Sequence, residues 1–264
     1  PVTSMSFAGP AETLNDTRYT QPAVFVHSMA VFEILRQHGI RPDVVAGHSL
    51  GEYAALCASG ALEFGAALRL VAARAAAMAD VASRKPGTMA AVVGLDERTV
   101  EKSVQGLRDV VVANYNAPDQ VVISGAEEAV GNAGTALSEL GAKRIVPLKV
   151  SGAFHSPLMA EAARVFADAL EREEISTPGI PVIPNVTAKR TTDPEEIRSL
   201  LVEQITSPVR WTDTVRSLAS SGSASCFEVG PGRVLQGLVR RIAPSITTTT
   251  VGTTAEIRAL LKTQ

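Results

Sequence analysis

The 264 residues carry 25 Lys and Arg against 27 Asp and Glu, a formal net charge of −2, and 45% of them are hydrophobic. That is enough chain for a sizeable core in one or two domains, with neither the basic stripe of a nucleic-acid binder nor an acidic tail. No apolar run reaches the roughly 18 residues a membrane span needs, and no signal-peptide pattern opens the sequence, which starts at Pro1 like a processed chain or a piece of a longer one.

QPAVFVHSMAVFEILRQHGI, residues 21–40, reads as an apolar helix ending near Gly39. A short apolar run at 44–46 leads into AGHSLGEYAA, where Ser49 stands between Gly47 and Gly51 at G-x-S-x-G spacing. The Ala- and Leu-rich stretch after it has no proline, so the local order is strand, sharp turn, helix. Such a turn strains the serine backbone and needs small neighbours that can pass close together, a need met by Gly47 and Gly51. The Ser49 hydroxyl then projects beyond the strand, and amides opening the next helix face any anion formed there. A further helix, FGAALRLVAARAAAMADVAS, runs towards Lys85-Pro86-Gly87. Cys57, on the Ala-rich helix, and Cys226 are too few for a disulfide framework. They read as buried thiols of a reducing compartment, hence a cytoplasmic chain.

The texture then changes. TMAAVVGL is a strand, DERTVEKSVQGL a helix capped by Asp96, DVVVANYN and QVVISG two strands around a turn, AEEAVGNAGTALSELG a helix and KRIVPLKV a strand. The order β-α-β-β-α-β over about sixty residues is that of a ferredoxin-like subdomain. Beyond it come a loop and helix in SGAFHSPLMAEAARVFADAL, a strand in IPVIPNVTA, a helix stopping before Pro208, and a helix in TDTVRSLASSG. Strand, glycine turn and helix follow in ASCFEVGPGRVLQGLVRRI, then a last strand in TTTTVG. The expected fold is α/β: a parallel-sheet, hydrolase-like large domain from 1–86 and 151–264, with the ferredoxin-like subdomain inserted at 87–150.

A serine needs a base. Of the four histidines, none shows metal-ligand spacing. His27, inside a helix, and His38, at its polar end, read as structural or solvated. His48 adjoins Ser49, but neighbours in a strained turn point apart. His155 lies in a loop directly after a strand, where α/β folds put their chemistry, and is the best candidate. The order is not that of an α/β-hydrolase, whose acid and then histidine follow the serine towards the C-terminus; no histidine follows His155. A general serine esterase is therefore the second reading. By composition alone Arg74 would be a solvated charge on an Ala-rich helix.

The sequence resembles the malonyl-CoA:acyl carrier protein transacylases of fatty acid synthesis and the acyltransferase domains of polyketide synthases. The resemblance rests on GPAETLNDTRYTQPAV, AGHSLGEYAAL, LVAAR, GTMAAVVGL, NYNAPDQVVISG, AKRIVPLKVSGAFHSPLM, PVIPNVTA, QITSPVRW and FEVGPGRVLQGLVRRI, in family order across nearly the whole chain. It implies that Ser49 is acylated, that His155 is its general base, and that the main-chain carbonyl of Gln204 orients that base in place of a carboxylate. It further implies that Leu50 gives one oxyanion amide, that Arg74 pairs with the free malonyl carboxylate, and that Gln21 lines the site. It implies malonyl-CoA as substrate with no cofactor or metal, and acyl carrier protein as partner; composition and hydropathy argue for no nucleic acid or membrane, and a monomer is expected. The family's N-terminal Gly-Gln motif, source of a second oxyanion amide, has no counterpart here. On the order of 45 residues of the family pattern, enough for one strand, a loop and two helices, would precede Pro1. A carrier-binding module without catalysis is the third reading, and an acyl-serine formed on mixing with malonyl-CoA separates it from the first.

Overall fold

The structure, a computed structural model, describes residues 2–262. Two short helices, α1 (Val2–Ala8) and α2 (Ala11–Leu14), precede the long α3 (Thr17–Gln37). Asp16 caps α3 by accepting a hydrogen bond from the Arg18 amide. Phe25, Ser28, Val31 and Leu35 recur at three- and four-residue spacing and form its buried face. Strand β1 (Val45–Ala46) leads to α4 (Gly51–Ala58) and α5 (Phe64–Arg84). The buried stripe of α5 runs through Ala67, Leu70, Val71, Arg74, Ala75, Met78 and Val81, so an arginine occupies a core position of that face.

The next six elements are β2 (Thr88–Val93), α6 (Glu97–Val104), β3 (Val110–Ala117), β4 (Gln120–Gly125), α7 (Glu127–Glu139) and β5 (Arg144–Pro147). Their strands form one antiparallel sheet ordered β3-β4-β2-β5, with Val92, Val100, Val121, Ile123 and Leu137 in a separate core. A 3-10 turn at Pro157–Met159 opens α8 (Ala160–Leu170). Then come β6 (Val182–Ile183), α9 (Pro194–Glu203), α10 (Trp211–Ser220), β7 (Ser225–Val229), α11 (Val234–Ile242), β8 (Thr247–Val251) and α12 (Thr254–Lys262). The chain is thus mixed α/β, with parallel and antiparallel strands. Among the described residues no helix is long and apolar enough to cross a membrane.

Several expected elements are shorter. The parallel strands fall, among the described residues, into two pairs, β1 with β6 and β7 with β8. β6 stops after two residues because Pro184 follows it without an N–H to donate. β5, at the sheet edge, likewise ends on Pro147 rather than running to Val150. Both thiols are only half-buried: burial pushes Cys57 up to about 12, and Cys226 lies 3.2 Å from the Thr248 hydroxyl. No sequence pattern had assigned α1, α2 or α12.

The early end of α9 matters for the site. A helix running on would pair the Gln204 carbonyl with the amide of residue 208, but residue 208 is proline and has no N–H. The chain instead tightens through Ile205 N–H to Val202 O and Thr206 N–H to Glu203 O. The Gln204 carbonyl is left for another donor. The antiparallel sheet also reaches this segment: Tyr115 N–H donates to Val209 O, and Val209 N–H to Ala113 O, each at 2.9 Å.

Candidate active site

β1 delivers the chain to Gly47, and Ser49 turns it with φ +51°, in the left-handed region that disfavours any side chain. The small-residue requirement falls on Gly47 alone. A Cβ there would lie 1.9 Å from the Gly51 carbonyl carbon and 2.0 Å from its oxygen, whereas a Cβ on Gly51 would meet nothing within 4 Å. This corrects the expectation that both glycines are needed for space. Gly47→Ala is expected to destabilise the fold by about 3 kcal/mol, since backbone cannot move aside as a side-chain tip can. Gly51→Ala should stay within about 0.5 kcal/mol. Thermal melts of the two variants test the contrast, and equal melting temperatures would refute it.

Asn185 clips the turn shut. Its Nδ2 donates to Gly47 O and its Oδ1 accepts from Ser49 N–H, both at 2.6 Å. The Gly51 amide is taken by His48 O at 3.0 Å. Of the amides at 49–51, Leu50 N–H alone has no hydrogen-bond partner among the described residues, and it opens α4, where partial positive charge accumulates.

The Ser49 hydroxyl lies 2.8 Å from His155 Nε2, and His155 Nδ1 lies 2.8 Å from Gln204 O, the carbonyl that Pro208 leaves free. His155 is 3% exposed and also has a left-handed backbone, φ +56°. From β4, the Ser124 hydroxyl donates to the Phe154 carbonyl at 2.7 Å, tying the antiparallel sheet to the histidine loop. Burial, with the Arg74 charge adding to it, holds the His155 imidazole at about 3, so the ring is neutral at ordinary pH and can take a proton at Nε2.

Arg74 is 1% exposed. Its Nη1 donates to Gln21 Oε1 at 2.6 Å, and its Nη2 to Gln204 Oε1 and to Ser49 Oγ, both at 3.0 Å. It stacks over Tyr53 at 5.8 Å. Its acceptors are all neutral, its Nε has no hydrogen-bond partner, and it forms no ion pair among the described residues. Burial lowers its pKa, but a guanidinium stays protonated.

The other histidines lie apart from this chemistry. His48 points away from Ser49, with Nε2 2.8 Å from Asn116 Oδ1 of β3 and its ring 5.5 Å from Trp211. His38 caps α3 on the surface, and His27 lies within α3. Among the described residues no three His, Cys, Asp or Glu side chains cluster as metal ligands.

Sequence reasoning did not single out Glu52, Asn185, Asn116 or Tyr53. Glu52 is 1% exposed; its Oε2 accepts from Asn185 N–H at 3.0 Å and from Gln204 Nε2 at 2.7 Å, and burial pushes it up to about 7. Its signal was a charged residue amid the apolar opening of α4, three positions after Ser49. Asn185 had only its place after a strand end. Together these residues set a neutral imidazole and a buried cation within hydrogen-bond reach of one hydroxyl, next to an uncommitted main-chain amide, which suits acyl transfer through serine.

The acyl transferase domain model matches residues 2–256. The chain is 41% identical over 258 residues to the malonyl CoA-acyl carrier protein transacylase of Escherichia coli O157:H7, covering 96% of this chain and 84% of that protein. The acyl-carrier-protein-S-malonyltransferase of Bartonella henselae superposes with a TM-score of 0.94 at 42% identity, over 99% of this chain and 86% of that one. A malonyl-transacylase solved in complex with a type II polyketide acyl-carrier protein superposes at 0.95 and 39% identity, over 100% and 86%. The chain belongs to the acyl transferase family, with the malonyl CoA-acyl carrier protein transacylases.

Proposed function

We propose that this chain moves a malonyl group from malonyl-CoA to the phosphopantetheine thiol of acyl carrier protein, through a malonyl ester on Ser49, for fatty acid or polyketide synthesis. The observation that carries the reading is Arg74, a buried cation against the Ser49 hydroxyl whose hydrogen-bond acceptors are all neutral. A thioester bearing a free carboxylate supplies an anion that the guanidinium can pair with directly; a simple ester does not. Family membership supports the same assignment.

In the first half-reaction the Ser49 proton passes to His155 Nε2 as Oγ attacks the thioester carbonyl. Leu50 N–H donates to the oxyanion. The C–S bond breaks, His155 returns the proton to the departing thiolate, and malonyl-Ser49 remains. In the second, the carrier's thiol gives its proton to His155 and its sulfur attacks the ester carbonyl. The C–O bond breaks and Ser49 recovers its proton. Gln204 O holds the ring through Nδ1, and Gln21 holds Arg74 at Nη1 while Gln204 holds it at Nη2.

The finer architecture we read as a large hydrolase-like unit, 1–86 with 151–264, around a ferredoxin-like subdomain at 87–150. The sheet order β3-β4-β2-β5, with α6 and α7 in the two crossovers, supports it. The absence of disulfides among the described residues is compatible with a cytoplasmic setting.

The decisive experiment is intact-mass measurement after mixing with malonyl-CoA, acetyl-CoA or methylmalonyl-CoA. A malonyl adduct that carrier protein discharges is expected; no adduct, or one released faster by water than by carrier, refutes the transferase. A pH series tests the base. The folded pKa of His155 is depressed, so the ring stays neutral as pH falls from 8 to 5, and acylation should show no inflection from this group near its ordinary 6.5. Protons taken up only by the unfolded chain between 6.5 and 3 instead lower stability as pH falls through that window. An NMR titration of the His155 ring in the folded protein with a midpoint near 6.5 would contradict this.

A further inference from the structure

Gln204 serves the site twice. Its main-chain oxygen receives His155 Nδ1, and its side-chain Oε1 receives Arg74 Nη2. The second contact depends on which way the amide is turned. Its Nε2 faces three acceptors, with Glu52 Oε2 the nearest at 2.7 Å, then Ser49 O at 3.2 Å and Asn185 Oδ1 at 3.5 Å. Turned over, the amide would set its oxygen against a carboxyl and a carbonyl, and its NH2 against a guanidinium. Glu52 Oε2 also holds Asn185 N–H, and the Asn185 side chain joins Gly47 O to Ser49 N–H. A buried carboxyl with no ion pair among the described residues is costly to keep, and no step of the proposed reaction consumes it.

We propose that Glu52 is a positioning residue: its Oε2 fixes the Gln204 amide and the Asn185 main chain, so that Arg74 is aimed at the incoming carboxylate while the Ser49 turn stays closed. Acyl choice and nucleophile geometry are thereby coupled through one carboxyl. The proposal rests on the transferase reading for its kinetic consequence, but the coupling itself is a matter of side-chain orientation and can be read without turnover.

Three variants separate the outcomes. Glu52→Gln keeps an acceptor for both donors, Glu52→Leu removes it, and Gln204→Met removes the amide while keeping the main-chain carbonyl. Acyl-serine formation is followed against malonyl-CoA and acetyl-CoA concentration, with a melting curve for each protein and a crystal structure of Glu52→Leu. Glu52→Leu should raise the malonyl-CoA KM and lower the malonyl-to-acetyl ratio of kcat/KM by about 30-fold, the scale of a displaced positioning group, and Glu52→Gln by no more than about 3-fold. Gln204→Met should lower the ratio comparably, and adding Glu52→Leu to it should change the ratio little further. A merely structural Glu52 would lower both rates together with the folded fraction and leave the ratio alone. An unchanged ratio in folded Glu52→Leu, or a Glu52→Gln as impaired as Glu52→Leu, overturns the proposal. If Glu52→Leu does not fold, the Gln204→Met ratio decides, and an unchanged value overturns it. If the wild type forms no malonyl-serine, the transferase reading fails separately; a Gln204 amide still turned to Arg74 in the Glu52→Leu crystal then overturns the positioning.

Discussion

Replacing Ser49 by alanine is expected to abolish acylation while leaving the fold in place. Alanine accepts the φ of +51° at much the same cost as serine, because that cost comes from Cβ, which both possess. The Asn185 clip uses the amide of residue 49, not its side chain, so the turn stays closed. Arg74 keeps Gln21 and Gln204, and His155 keeps Gln204 O. What is lost is the one oxygen among the described residues that lies within reach of His155 Nε2 and that a thioester could acylate. Malonyl transfer should fall on the order of 10⁴-fold or more, the scale seen when a serine nucleophile is removed from such a unit. Incubation with malonyl-CoA should give no mass increase, with a melting temperature within a few degrees of the parent and carrier protein still bound. A malonyl adduct persisting on Ser49→Ala would place the nucleophile elsewhere.

The turn was legible because its sequence is a local geometric statement: a short apolar run, glycine, serine, then a proline-free helix. The structure nonetheless divides the glycines, giving the steric burden to Gly47, a distinction that depends on where Cβ vectors point and not on residue type. The His155 loop was legible from its position after a strand. The partner of its Nδ1 was named only through family resemblance, although Pro208 carried a physical signal four residues after Gln204. Arg74 shows how composition misleads: an arginine among alanines reads as solvated. Yet it stands three and four residues after Val71 and Leu70 and four before Met78, so helical periodicity alone would have buried it. Glu52 and Asn185 were not legible in this way. Their contacts join the nucleophile turn to residues more than 130 positions away, and no local spacing encodes such a meeting. The short ends of β5 and β6 were marked by Pro147 and Pro184, each lacking the N–H a ladder needs.

Arg74→Ala should change which acyl group is transferred more than whether any is. Malonyl differs from acetyl by one carboxylate, and bringing that charge beside Ser49 without a partner leaves its desolvation uncompensated. The resting site already carries the opposite problem. Arg74 is buried, its acceptors are neutral amide and hydroxyl oxygens, and its Nε has no hydrogen-bond partner, so it has unspent capacity for an anion. A planar guanidinium can take both carboxylate oxygens at once and does not lose its charge over the working pH range. Removing one member of a buried charged pair costs about 3–5 kcal/mol, a loss of two to three decades or more in malonyl transfer. Acetyl has no carboxylate to lose a partner, and without Arg74 the serine pocket holds one buried charge fewer. Arg74→Ala should therefore transfer acetyl at the parental rate or faster, and the malonyl-to-acetyl ratio of kcat/KM should fall by about 10²-fold or more. Arg74→Lys keeps a charge but not the fork, and the shorter stem cannot hold Gln21 and Gln204 together, so its ratio should lie between the two. The measurement is acyl-serine formation from both thioesters on parent and variants, with a melting curve to show that each remains folded. A ratio unchanged in folded Arg74→Ala would mean that the buried cation plays no part in choosing the acyl group, and that the carboxylate is recognised by some other side chain around Ser49.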